Sequence, residues 1–223
     1  MGPTLWTSNI QDFEGGHPSH HDMLHNSTNG VGIAWQSQNI YWIFDGGHGS
    51  LTRYNFNQDH GPGGTDHSDG AVHRFVDGQM GYVPGVVSQL VYDQERERLY
   101  AADTAHNRIV ALNPATGGDG GAIEPNYDGI VQRHVSGATL TTLVDGADAG
   151  LTAPAGMELV NGVLYVGDNQ TGRVYAFNRD GEMLDWIDLG LPAGALNGLT
   201  MDGQGRLYVV NTTANEVWRL TAH

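Results

Sequence analysis

One pattern of apolar and polar positions recurs four times along the chain. Each copy has a run rich in β-branched and aromatic residues, then Asp or Asn, then a polar turn and a second apolar run. The polar residue is Asp45, Asp103, Asp168 or Asn211, and the next apolar run begins six positions later, at Leu51, Ile109, Val174 or Val217. Such apolar residues favour strands, and Asp or Asn favours a turn by bonding its own backbone. The pattern therefore predicts four β-hairpins.

Further short apolar runs flank these hairpins. A run precedes each hairpin, opening on glycine in all but the second copy, at 30–35, 89–93, 156–160 and 198–202. Another run follows each of the first three hairpins, at 70–78, 137–146 and 181–190. Four strands per repeating unit are typical of a β-propeller blade. We therefore predict an all-β protein, a β-propeller of four-stranded blades with four blades visible.

The repeat also sets the predicted boundaries. We expect one domain over residues 1–223, with blades at about 28–78, 86–146, 154–190 and 195–220. The last blade stops after its third strand. Segment 5–16 has the pattern of an outer strand, and we predict that it closes that blade, because closure hides sheet edges. If it does not, open edges could support a homo-oligomer.

The composition of the chain says more about its partners than about its fold. The chain has no cysteine, and 25 acidic residues against 10 basic ones give a net charge of −15. All the basic residues are arginine, and without lysine Schiff-base chemistry is excluded. This charge repels phosphate backbones and anionic lipids, so we expect neither nucleic-acid nor membrane partners. The N-terminal residues lack a secretory-signal pattern, but the charge favours an extracellular or periplasmic location.

The residues around two of the turns resemble the NHL-repeat propellers. Gly32-Ile33-Ala34, Asp103 with Arg108-Ile109, and Asp168 with Arg173-Val174 match that repeat. The resemblance covers most of residues 28–220, and it departs at Ser50, which stands where the repeat has Arg. NHL propellers usually have six blades. The resemblance therefore leaves two alternatives open, a closed four-bladed propeller or part of a longer one.

A second likeness is to the gluconolactonase/regucalcin-like and strictosidine-synthase-like propellers. In that superfamily an Asn-Gly pair opens an inner strand, and the Asn points into an axial channel, often onto a divalent cation. Asn29 and Asn197 match this pattern, and Glu158 is the acidic candidate for the same channel. The alternative is that each Asn-Gly pair is simply a turn.

A histidine-rich stretch precedes the first predicted inner strand. Its five side chains of metal-ligand type are His17, His20, His21, Asp22 and His25. Neutral imidazole is a good ligand for Zn²⁺, and the spacings resemble those of ligand pairs. We expect this loop at the mouth of an axial pocket, with His25 and Asn29 towards the channel. The alternatives are a solvated polar loop, or a lid without metal.

A second loop has the composition of a calcium site. Asp59, Asp66 and Asp69 alternate with Gly and Ser between 57 and 70, which lets several oxygens converge while the backbone bends. The twelve-residue loop and closing Glu of an EF-hand are missing. A plain surface loop is the alternative.

These patterns support two classes of function. The first is a propeller that binds a small-molecule or peptide ligand, together with a divalent metal (Zn²⁺ or Ca²⁺), through rim loops at the axial pocket. The second is a metal-dependent enzyme, either a lactonase-like hydrolase or a lyase like the peptidyl-hydroxyglycine lyase, which the resemblances imply. We find no nucleophile elbow or phosphate loop and expect no organic cofactor. A fold does not fix a function. We favour binding, because propellers of this kind include many proteins that only bind.

Overall fold

The computed structural model describes residues 4–6, 11, 22–58, 66, 68–126 and 129–221, with only the backbone of Asp22. Contacts divide the chain into two compact units. Unit 1 comprises Met1–Gln79 and Gly117–Ala138, and unit 2 comprises Met80–Thr116 and Thr139–His223. No helix in the described ranges is long and apolar enough to cross a membrane.

Unit 1 contains one large sheet and a two-stranded pair. The pair joins β1 (Thr4–Leu5) to β2 (Asp22–Met23). The sheet has the order β10-β11-β6-β5-β4-β3. Its strands are β3 (Gly30–Ser37), β4 (Ile40–Asp45), β5 (Ser50–Asn55), β6 (Ala71–Phe75), β10 (Gly118–Ala122) and β11 (Val131–Ser136). Strands β3 to β6 thus form four consecutive antiparallel strands within the predicted first blade at about 28–78, and β11 and β10 extend the sheet beyond β6.

Unit 2 contains three further antiparallel sheets. The first has β7 (Leu90–Asp93), β8 (Arg98–Asp103), β9 (Arg108–Asn113) and β12 (Thr139–Asp145). The second has β13 (Pro154–Val160), β14 (Val163–Asp168), β15 (Arg173–Asn178) and β16 (Met183–Asp188). The third has three strands, β17 (Leu196–Met201), β18 (Leu207–Asn211) and β19 (Glu216–Leu220). A 3-10 turn (Thr104–His106) and helix α1 (Gly146–Ala149) complete the unit.

The repeated Asp residues anchor the hairpin turns, as predicted. Asp45 Oδ1 accepts a hydrogen bond from Gly47 N at 2.9 Å, and Asp168 Oδ1 accepts one from Thr171 N at 2.8 Å. Asp103 instead accepts from Arg108 Nε at 2.7 Å and from Gly81 N, outside the turn, at 2.7 Å. All three carboxylates are fully buried. A buried carboxylate is tolerated only with such partners, so the Asp is both turn signal and core group.

Glycine at the start of an inner strand has a packing reason. A Cβ on Gly156 would lie 2.5 Å from Leu199 N and 2.8 Å from Asn197 O. Strands β13 and β17 therefore approach at backbone distance, which a larger residue would prevent. The core of this part is apolar and includes Met157, Leu164 and Phe177.

The segment between β9 and β12 is the main surprise of the fold. The sequence predicts an extra loop at 113–129 and no strand at 131–136, but the structure has β10 and β11 there. β11 pairs in parallel with β6, from Val131 opposite Ala71 to Val135 opposite Phe75. Residues from the middle of the chain thus extend the first sheet.

The predicted closing strand lies mostly outside the described residues. Only Thr4–Leu5, Trp6 and Gln11 of its surroundings are described, and Leu5 pairs with Asp22 of β2. Closure of the three-stranded last sheet by segment 5–16 therefore stays a prediction.

Candidate functional site

Much of the predicted metal site falls outside the described residues. This holds for His17, His20, His21 and Asp59, while Asp22 is described only as backbone in β2. Within the described part of the chain, no group of three or more His, Asp or Glu side chains could hold a metal ion. The zinc and calcium sites therefore stay predictions.

His25 lies in the interior of unit 1. Its side chain is 7% exposed, beside a cluster that contains Leu24, Ile43 and Tyr54. The Tyr54 hydroxyl lies 2.6 Å from both the His25 carbonyl oxygen and Ser27 Oγ, and burial raises the Tyr54 pKa above its usual range. This part of the histidine-rich stretch is thus fixed to the sheet by a buried tyrosine.

Asn29 and Asn197, the predicted axial residues, make hydrogen bonds to residues distant in sequence. Asn29 N donates to Asp45 Oδ1 at 3.4 Å. In unit 2, Asn197 Nδ2 donates to the Gly85 carbonyl oxygen at 3.1 Å, and Asn197 Oδ1 accepts from Val87 N at 2.8 Å. Both ends of this carboxamide thus fix the loop before β7.

The carboxylates of Glu158 and of the described calcium-loop residues also accept hydrogen bonds. Thr200 Oγ1 donates to Glu158 Oε2 at 2.9 Å. Asp66 Oδ1 accepts from Ser68 N at 3.0 Å, and Asp69 Oδ2 accepts from Gln58 N at 3.1 Å. These Asp side chains thus shape the loop between β5 and β6.

A cleft that the sequence analysis did not predict lies within unit 1, where β6 and β11 end. Its volume is about 470 Å³, within the range of small-molecule sites, roughly 300–1,000 Å³. It is lined by Val76, Asp77, Gln79, Gly120 and residues 134–138. We call it the histidine cleft, after its one described imidazole.

A histidine–aspartate pair stands on the wall of this cleft. His134 Nδ1 lies 2.6 Å from Asp77 Oδ2, and the two side chains are 33% and 43% exposed. The contact depends on the parallel pairing of β11 with β6, which sets His134 beside Arg74. When Nδ1 carries the hydrogen and donates it to Asp77, Nε2 becomes an acceptor that His134 can offer to a ligand.

A buried arginine, Arg74, lies close to the aspartate of this pair. Arg74 is 4% exposed, and its Nε lies 3.8 Å from Asp77 Oδ1 and makes no hydrogen bond within the described ranges. Its Nη2 donates to the Asn26 carbonyl oxygen and lies 4.0 Å from Asp45 Oδ2. Leaving a buried charged donor without a hydrogen bond costs stability.

The backbone just before Asp77 is strained. Val76 is 3% exposed and has φ of 55°. A β-branched residue with positive φ is an outlier, and such positions cost of order 1–3 kcal/mol and cluster at functional sites. This conformation ends β6 and directs the chain into the cleft wall.

Glycine lets β10 pack close to the same wall. A Cβ on Gly120 would clash with Ser136 Oγ and would lie 3.0 Å from both His134 Cβ and the His134 carbonyl oxygen. Gly118, two residues earlier in the strand, has open space instead. Gly120 is therefore needed for the approach of β10 to the cleft residues of β11.

Unit 2 has a second cleft, of about 420 Å³, which we call the arginine cleft. It is lined by Arg96, Arg98, Tyr100, Ala111, Leu143, Arg179 and Asp180. Arg96 Nη1 lies 2.6 Å from Asp180 Oδ1, and Arg179 Nε lies 2.9 Å from Asp93 Oδ2. These ion pairs join the β7–β8 turn to the β15–β16 turn.

The fold is also found in solved structures. The nidogen/laminin complex matches with a TM-score of 0.59 and 17% identity, over 91% of this chain and 64% of that chain. A protein of unknown function from Bacteroides thetaiotaomicron matches with a TM-score of 0.60 and 13% identity, over 93% and 51%. A catalytically inactive virginiamycin B lyase from Staphylococcus aureus with quinupristin matches at 0.53 and 13%, over 90% and 58%.

The chain has a β-propeller fold. It spans between half and two thirds of the length of these three structures. No family model and no curated protein matches the chain, so the resemblance to NHL-repeat propellers stays a prediction. At these identities the similarity gives the fold alone.

Proposed function

We propose that this β-propeller binds a small, neutral, hydroxyl-bearing ligand in the histidine cleft of unit 1. The observation that carries the proposal is the His134–Asp77 pair at 2.6 Å on the cleft wall. An imidazole oriented by a carboxylate presents Nε2 as an acceptor for a hydroxyl group. An exposed pair of this kind contributes little to stability, so either residue can be replaced to test binding without unfolding the protein.

The lining and the charge of the chain favour a neutral ligand. Asp77, His134 and Ser136 supply a carboxylate, an imidazole and a hydroxyl group, which suit alcohols better than carboxylates or phosphates. The net charge of −15 opposes anions further. Pockets with a few convergent polar groups are the default location for small ligands.

An NMR titration tests this function. The probes are D-glucose and glucono-δ-lactone, added to ¹⁵N-labelled protein, His134→Gln protein and a control, His106→Gln. The control removes an imidazole that also lies near an aspartate, 2.9 Å from Asp103, but outside the cleft. We expect shifts of the amide signals of residues 132–138 in the wild type and the control, and none in His134→Gln. No shift in the wild type with either probe, or equal shifts in all three proteins, contradicts the proposal.

A second candidate function is hydrolysis of the same class of ligand. The orienting Asp77 also suits His134 for proton transfer. Nε2 would accept a proton from water as the water oxygen bonds to a lactone carbonyl carbon. It would return the proton to the ring oxygen as that C–O bond breaks. Release of acid from glucono-δ-lactone above the buffer rate, abolished in His134→Gln, would support this candidate over binding alone.

The predicted metal belongs to a separate test. Its ligands would come from the histidine-rich stretch at 17–25, most of which lies outside the described residues. Elemental analysis of the purified protein for zinc and calcium measures it directly. Absence of both metals would contradict the predicted metal site. It would not bear on ligand binding in the histidine cleft.

A further inference from the structure

The outer strands of the first three sheets differ in what covers them. In unit 1, β6 is covered, because β11 adds to it in parallel and Val72, Arg74 and Phe75 are all buried. In unit 2, β12 is the terminal strand of its sheet and carries three threonines over Thr139–Asp145. A polar edge of this kind needs no cover.

The outer strand β16 is neither covered nor polar. It ends the sheet β13-β14-β15-β16, and no described strand pairs with its second edge. All six of its residues are exposed, and they include four large apolar side chains. These side chains are 48–54% exposed: Met183, Leu184, Trp186 and Ile187. A long apolar edge strand is a template for strand pairing.

The charges along β16 select against a second copy of the chain. Asp185 and Asp188 lie in the strand and Glu182 precedes it, in a protein of net charge −15. Self-pairing would bring these carboxylates near their own copies, which is unfavourable. Arg173 lies over the Trp186 ring at 4.5 Å and binds Asp188 at 3.2 Å, which orders the strand without neutralising all of its acidic groups.

The chain itself shows what kind of segment adds to an outer strand. β11, which covers β6, has Arg133 and His134 between Val131 and Val135. Aliphatic residues flanking basic ones therefore already form an added strand in this fold. The acidic, apolar edge of β16 is complementary to the same composition.

We propose that β16 is a docking edge for an extended segment of a partner protein in which aliphatic residues alternate with arginine. The segment adds as a fifth strand to the sheet β13–β16. Its backbone pairs with the open edge. Because side chains alternate between the two faces of a strand, its aliphatic side chains lie on the face of Ile187 and its arginines lie on the opposite face, near Trp186 and Asp188. Strand addition of this kind is a common mode of peptide recognition. The proposal is independent of the histidine cleft.

Calorimetric titration with a synthetic peptide tests the proposal. The probe is an acetylated, amidated hexapeptide of alternating valine and arginine, which matches the length of β16. One control peptide has glutamate for each arginine. The other has proline for the central valine, which removes a backbone donor. We expect the first peptide to bind and both controls to bind at least about tenfold more weakly.

Matched protein variants locate the binding. Ile187→Ser should weaken binding by on the order of tenfold, because an aliphatic contact is lost. Val131→Ser, in β11, changes a side chain of similar exposure, 54% against 52%, and should have no effect. Leu184→Ser is a second test variant, and circular dichroism confirms that each variant folds.

Several outcomes would overturn the proposal. They are no binding of the valine–arginine peptide, equal binding of either control peptide, or equal effects of Ile187→Ser and Val131→Ser. A further outcome against the proposal would come from sedimentation velocity of the protein alone. A dimer that Ile187→Ser dissociates would identify a second copy, rather than a basic segment, as the occupant.

Discussion

The arginine cleft and the histidine cleft have similar volumes but differ in the ion pairs that line them. In the arginine cleft, Arg96 and Arg179 each lie within ion-pair distance of a carboxylate, although Arg179 Nε makes no hydrogen bond within the described ranges. In the histidine cleft, the His134–Asp77 pair is half-exposed, and Arg74 Nε is buried without a hydrogen bond within the described part of the chain. The first arrangement stabilises two turns. The second also has the β-branched Val76 at a positive φ of 55°, a local cost that is typical of functional sites.

The largest effect should come from breaking the buried pair of the arginine cleft. Asp93 is 1% exposed and accepts hydrogen bonds from Glu95 N at 3.0 Å and Arg96 N at 3.1 Å, besides its contact with Arg179. Asp93→Asn should lower the free energy of unfolding by about 3 kcal/mol, since it leaves a cation without its buried partner. Urea unfolding measures this. Glu95→Gln, which removes only the exposed partner of the same Arg179, should change it by less than about 1 kcal/mol, and equal losses would contradict the comparison.

A smaller loss should follow from overpacking the histidine cleft. Gly120→Ala places a Cβ against Ser136 Oγ and His134 Cβ and should cost about 1–3 kcal/mol. Gly118→Ala in the same strand meets open space and should be nearly neutral. Hydrogen exchange at residues 131–136 reports the change locally. Unchanged protection in Gly120→Ala would show that β10 does not hold the cleft wall.

Removing the exposed pair itself should cost still less. Asp77→Asn and His134→Gln should each change the free energy of unfolding by less than about 1 kcal/mol, because exposed ion pairs contribute little. Urea unfolding beside Asp93→Asn gives the direct contrast. A loss as large as that of Asp93→Asn would mean that the pair is structural, and the proposed function would lose its main support.

The smallest expected effect is a pH dependence that comes from His73 in β6, the strand that β11 covers. His73 of β6 lies in register with Arg53 of β5 and Arg133 of β11, and burial, with the Arg53 charge, lowers its pKa below 6.5. As the pH falls, His73 is therefore protonated in the unfolded chain before it is protonated in the folded protein. Stability from His73 is complete above about pH 6.5 and falls as the pH drops towards the folded pKa. Unfolding measured across pH 5–8 should show a slope that His73→Gln reduces. An unchanged slope in that variant would contradict the assignment.

The sequence predicts the strands better than it predicts the site. The hairpins after Asp45, Asp103 and Asp168 follow from local rules, since each turn is bonded by its own carboxylate or by side chains within a few residues. The His134–Asp77 contact has no such local signal. It joins residues 57 positions apart through a parallel pairing that periodicity does not encode.

A shared tripeptide shows why local patterns do not suffice. Val-Asp-Gly ends the fourth strand at residues 76–78 and again at 144–146. In the second copy, Asp145 Oδ1 accepts from Ala147 N at 2.9 Å and caps α1. In the first, Asp77 meets a histidine from a distant strand. Residues 131–136 carry only two valines, four positions apart in a polar run, which lacks the period-2 alternation that predicts a strand.

The addition of β11 to β6 also fixes an order of events during synthesis. Unit 1 is discontinuous in sequence, so its sheet cannot be completed until residues 131–136 have left the ribosome. At typical elongation rates this leaves the edge of β6 uncovered for on the order of seconds. A chain that ends after β9 would keep that edge open permanently and should aggregate. The hairpin of β10 and β11 therefore covers the edge of β6 only well after that strand has been made.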